Sequence, residues 1–76
     1  MQIYILTCVD ECSELLFAKA YKTLEETQTV MRSRLTDHAE DLKRCDRFEY
    51  LNIDEMGGAT GNADWSFEYK ITPDNI

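Results

Sequence analysis

One stretch of this 76-residue chain repeats its apolar residues with the period of a helix, and the stretches on both sides alternate like strands. Leu24, Thr27, Met31, Leu35, His38 and Leu42 recur at spacings of three, four and seven and fall on one stripe. Glu26, Ser33, Glu40 and Arg44 lie opposite. The run opens with Thr23-Leu24-Glu25-Glu26, a capping box. In it the Thr23 hydroxyl accepts the Glu26 N–H, and the Glu26 carboxylate can reach back to the Thr23 N–H. Two acids in the first turn, and Lys43 and Arg44 in the last, complement the helix dipole. The pattern predicts a helix over 24–44, with Glu40 and Arg44 as an i,i+4 ion pair.

With a single helix, the remaining apolar residues must be placed in a sheet. Residues 2–9 are β-branched and aromatic, with Ile3, Ile5 and Val9 on one face and Tyr4, Leu6 and Cys8 on the other. A strand apolar on both faces belongs in a sheet interior. Asp10, Glu11, Cys12 and Ser13 form a polar break of hairpin length, and residues 14–21 read as a second strand. Residues 47–55 read as a third. Residues 56–63 hold all three glycines and read as a loop. Residues 64–72 alternate Trp65, Phe67, Tyr69 and Ile71 with polar side chains, a strand that Pro73 is expected to end. The expected fold is a single α+β domain over 1–76. Its layout is ββαββ, a four-stranded, mainly antiparallel sheet with one amphipathic helix on one face.

That layout leaves a surplus. One helix covers one face of the sheet, yet the first three strands are apolar on both. The uncovered face is expected to draw on Tyr4, Leu6, Leu15, Phe17, Phe48 and Tyr50, or on the alternating set, according to register. A contiguous patch of that kind exceeds what monomers ordinarily expose. Its burial would add stability that a core this small lacks. The expectation is a protein partner, with a homodimer through the sheet, face to face or edge to edge, as the simplest symmetric solution.

Charge narrows the partners further. The net charge is −7, and after Arg47 Lys70 stands alone against six acidic residues. Such a surface repels phosphate backbones, so direct nucleic-acid binding is not expected. A second reading follows: an acidic inhibitor of the phage type that occupies a basic, nucleic-acid-binding groove. No basic segment precedes the apolar run at 3–6, which is too short to span a bilayer, so neither a targeting segment nor a membrane contact is expected. Three cysteines leave one unpaired in any monomeric disulfide scheme, which suits a reducing, cytoplasmic setting.

Chemistry-bearing residues are few. Cys8, Cys12, His38 and Cys45 form a candidate Cys₃His zinc set, although zinc knuckles usually use tight C-x₂-C pairs and these are spread over 37 positions of chain. His38 sits in the apolar stripe, where an imidazole bonded to a backbone or tyrosine group is expected rather than a catalytic base. Gly57, Gly58 and Gly61 resemble a phosphate loop only in composition, because a strand follows them rather than a helix. Trp65, Phe67 and Tyr69 lack the basic surroundings of a base-stacking platform, so core packing is expected of them. The sequence predicts no catalytic site, metal or cofactor.

Overall fold

The computed structural model describes residues 1–76. Strand β1 (Gln2–Asp10) turns back into β2 (Leu15–Tyr21), and helix α1 (Leu24–Arg44) crosses to β3 (Tyr50–Ile53), β4 (Gly57–Gly61) and β5 (Ser66–Asn75). The protein is thus α+β, ββαβββ, with one helix on a five-stranded antiparallel sheet of order β2-β1-β5-β4-β3. β1 is an interior strand, as its two apolar faces require.

The helix begins and ends where its caps dictate. Thr23 is extended and its hydroxyl accepts the Glu26 N–H at 3.1 Å. Only this half of the capping box forms; the Thr23 carbonyl instead accepts the Thr27 N–H at 3.2 Å and the Thr27 hydroxyl at 2.7 Å. At the far end Asp46 adopts φ 58°, its N–H meets the Lys43 carbonyl at 3.1 Å, and the Arg47 N–H reaches Leu42 at 2.8 Å. These paired bonds are a Schellman closure, which satisfies the last helical carbonyls. The expected Glu40–Arg44 pair is replaced by Lys43–Glu40 at 3.5 Å and Arg44–Asp41 at 3.0 Å, both i,i+3 and exposed.

The buried face of α1 carries Thr27, Met31, Leu35, Ala39 and Leu42. Met31 and Leu35 pack on Leu6 and Cys8 of β1 and Tyr69 and Ile71 of β5, and these six form the core cluster. Register explains the set: Leu6 faces Ile71 and Cys8 faces Tyr69 across the β1–β5 ladder, so even residues of β1 and odd residues of β5 share the helix side. That ladder runs from Gln2↔Asn75 to Asp10↔Phe67 and is the longest in the sheet.

Two expectations from sequence are corrected. The glycine segment is not a loop but β4, hydrogen-bonded between β3 and β5. Its glycines serve packing. A Cβ on Gly58 would lie 2.6 Å from Leu35 Cδ1 and 2.7 Å from the Asn52 carbonyl, and one on Gly61 would collide with the Trp65 carbonyl. Thr60, fully buried, donates its hydroxyl to the Tyr50 carbonyl at 2.8 Å. Nor does Pro73 end the last strand, since β5 continues to Asn75 with Pro73 opposite Tyr4. Ile71 donates its N–H to Met56, on the β4 side. Pro73, two residues on, turns its nitrogen the same way, beyond the end of the β4–β5 ladder at Lys70, so no sheet bond is lost.

Candidate functional site

The helix covers one face only, and the chain has one helix and one sheet. Because Leu6 and Cys8 lie beneath α1, Ile3, Ile5, Thr7 and Val9 point to the open side. Their β2 neighbours across the register are Ala20 beside Ile5, Ala18 beside Thr7 and Leu15 beside Val9. A β-bulge between Cys8 and Val9 admits Leu16 as an extra residue, and it leaves Leu15 59% and Leu16 50% exposed. Further across the open side, β5 presents Glu68, Lys70 and Thr72, and β3 presents Asn52. The apolar surface of the open face is therefore concentrated on the β1–β2 half, where it reaches the sheet edge, with Tyr50 apart from it on β3.

The six residues expected from sequence to line this surface do not come together. Leu6 is fully buried in the core, and Tyr4 and Phe17 pack against that core on the helix side. Phe48 precedes β3, its ring 4.8 Å from Lys43 Nζ. Tyr50 lies on the opposite edge strand, paired with Gly61. Leu15 alone belongs to the open apolar half. The reason is register: the even residues of β1 face the helix, so the alternating set Ile3, Ile5 and Val9 faces out.

A second constellation lies under the helix. The Tyr69 hydroxyl, on a side chain 2% exposed, accepts the Arg34 Nε–H at 2.9 Å and meets His38 Nε2 at 2.9 Å. His38 stacks on Phe67 with centroids 3.9 Å apart and planes 5° from parallel, and the Arg34 guanidinium lies 3.8 Å above the Phe17 ring. Cys8 faces Tyr69 across the ladder. Burial pushes the Tyr69 hydroxyl up to about 12, against the opposing pull of the Arg34 hydrogen bond. Burial, helped by the Arg34 charge, lowers His38 below its ordinary 6.5, and burial raises the Cys8 thiol above 9.0. All three are neutral at pH 7. Arg34 has donors only, so the hydroxyl oxygen takes the arginine, and the tautomer of His38 sets whether its Nε2 accepts the tyrosine proton or donates its own. A neutral thiol and an imidazole already engaged by a phenol are poor nucleophile and base. The cluster fastens helix to sheet, and His38 has the tyrosine partner its sequence position suggested.

The zinc candidates do not converge. Cys8 is buried in the sheet, Cys12 is exposed in the β1–β2 turn, and Cys45 is exposed at the helix C-cap; all three are unbridged. The one grouping of three metal-capable residues is Asp10, Glu11 and Cys12, with ligand atoms within 4.8 Å of one another. Asp10 Oδ1 is already engaged by the Cys12 and Glu14 N–H groups at 2.8 and 2.9 Å, which makes it a turn-forming residue. Trp65, expected in the core, is 46% exposed ahead of β5, with Arg47 4.8 Å over its ring. No helix is long and apolar enough to cross a membrane. Comparison with protein-family models, with curated proteins and with solved structures gives no match.

Proposed function

We propose that this chain is a non-catalytic protein-interaction domain that acts as a homodimer through the open β1–β2 half of its sheet. The supporting observation is the coexistence, on one side of one sheet, of Ile3, Ile5, Val9, Leu15 and Leu16 with no second layer over them. Apolar groups so gathered associate when a matching surface is offered. A second copy offers one by symmetry. The groups nearest to a reactive constellation, Cys8, His38 and Tyr69, are neutral and engaged with neighbours, which favours binding over chemistry. The acidic-inhibitor reading gains less: acids stand on the helix (Glu25, Glu26, Asp37, Glu40, Asp41), in the first turn (Asp10, Glu11) and around β3 to β5 alike.

Leu16→Glu tests the reading, because Leu16 is half exposed and lies outside the core cluster. Size-exclusion chromatography with light scattering is expected to give a dimer for the parent and a dissociation constant at least about tenfold weaker for the variant. Circular dichroism should be unchanged. Unaltered association of the variant would refute the proposed surface.

A further inference from the structure

We infer that His38 is a two-position latch between helix and sheet. Uncharged, it lies on Phe67 and against the Tyr69 hydroxyl. Protonated, it leaves both, turns to the carboxylates of Asp37 and Asp41 on the helix surface, and frees the middle of α1 from β5. The device sits on the helix side of the sheet and is independent of the homodimer reading. The docked position is set by two contacts on one oxygen. Arg34 Nε donates to the Tyr69 hydroxyl at 2.9 Å, and His38 Nε2 meets the same hydroxyl at 2.9 Å. Arg34 is itself held in place, its guanidinium 3.8 Å above the Phe17 ring. A phenol oxygen accepts two hydrogen bonds and donates one, so an uncharged imidazole fits beside the arginine in either tautomer.

Protonation ends that fit. Both ring nitrogens of an imidazolium are donors, so Nε2–H must point at the oxygen that already takes Arg34. Two cations then share one neutral oxygen, and the phenol proton is left with the Cys8 thiol, a weak acceptor. The sheet offers little in exchange. Beneath the helix β5 brings Tyr69 and Phe67, β1 brings Cys8, and β2 brings Phe17. Asp10 stands opposite Phe67 in the β1–β5 register, but its Oδ1 is engaged by the Cys12 and Glu14 N–H groups. Lys19 of β2 lies over the Tyr21 ring. The helix surface offers the reverse. Arg34, Asp37, His38 and Asp41 line one cavity of about 150 Å³, and both aspartates are exposed. Asp41 lies one turn on from His38, within side-chain reach, and Asp37 has no ion-pair partner of its own. Stacking on Phe67 at 3.9 Å is the one docked contact that a cation strengthens. Against it stand burial and the Arg34 charge, which both lower the proton affinity of the ring, while Asp41 and Asp37 raise it. The positive charge is therefore favoured on the carboxylate side.

Nuclear magnetic resonance of His38 from about pH 7.5 to about pH 4.5 tests the latch. The ring shifts report protonation, and nuclear Overhauser contacts with Phe67 report position. The parent is expected to lose the His38–Phe67 contacts in step with protonation, while contacts among Leu6, Met31 and Ile71 in the core persist. Arg34→Gln keeps a donor for Tyr69 but removes the charge, and its protonated His38 is expected to stay on Phe67. Asp41→Asn is expected to weaken proton binding at His38 about twofold to threefold, since one charge pair on the helix surface is lost. A protonated parent that keeps its Phe67 contacts overturns the latch. Core contacts that vanish at the same pH overturn it too, because the event is then unfolding. So does an Arg34→Gln protein that releases its histidine as the parent does, or an Asp41→Asn protein whose His38 titrates unchanged.

Discussion

The Tyr69 hydroxyl is the point where β5, the helix and β1 are tied together, and single residues around it carry measurable consequences. Tyr69→Phe leaves Arg34 and His38 without their shared partner beneath the helix. A loss of about 1–3 kcal/mol in urea unfolding is expected, and a loss below about 0.3 kcal/mol would mean that solvent replaces those bonds freely. His38 adds a pH dependence. Its pKa is lowered in the fold, by burial and by Arg34, while Asp37 and Asp41 on the same helix pull the other way. The unfolded chain thus binds the proton more readily. Stability from this group is fully present above 6.5 and falls as the pH drops below 6.5 toward the lowered folded pKa. Unfolding between pH 7.5 and 5.5 should show this decline, and His38→Gln should flatten it; equal slopes in parent and variant would contradict the assignment. His38 was legible in sequence because its place in the stripe left it partly buried. Its stacking on Phe67 was not, since that depends on the register of β5.

Among the elements, the helix was readable to its ends because local chemistry fixes both: Thr23 caps the start, and Lys43 and Arg44 mark the last turn. β4 was not readable, because Gly57, Gly58 and Gly61 have weak strand propensity and the choice of conformation is made by what packs on them. Gly58→Ala tests this. The added methyl meets the Leu35 side chain and the Asn52 carbonyl, and a destabilisation of about 1–3 kcal/mol is expected. A neutral result would show that Leu35 and β3 yield without loss. Asp46 makes the opposite case. It holds a left-handed conformation at the residue that closes the helix, which glycine adopts without strain. Asp46→Gly is expected to stabilise by about 0.5–1 kcal/mol, seen as a rise of a few degrees in Tm. A fall in Tm would indicate that the Asp46 carboxylate has a role of its own. Pro73 illustrates a related limit: its strand position depends on β4 ending before it, a tertiary fact invisible in the local sequence.

For the molecule as a whole, the α+β class and the surplus of apolar side chains over helical cover were both written in the alternation of the first strand. Which residues face outward was not, because a shift of one residue exchanges the two faces and only the packed helix decides between them. Leu6 and Cys8 went under α1, and Ile3, Ile5 and Val9 were left on the open side. The apolar half borders the β2 edge, and the open face becomes charged at Glu68 and Lys70 on the central strand β5. The account of function depends on that half being covered by a second copy. Sedimentation equilibrium of the parent protein from low to high micromolar concentration tests it most directly. The mass is predicted to rise from the 8.9 kDa chain toward twice that value, and a mass of 8.9 kDa across the whole range would contradict it.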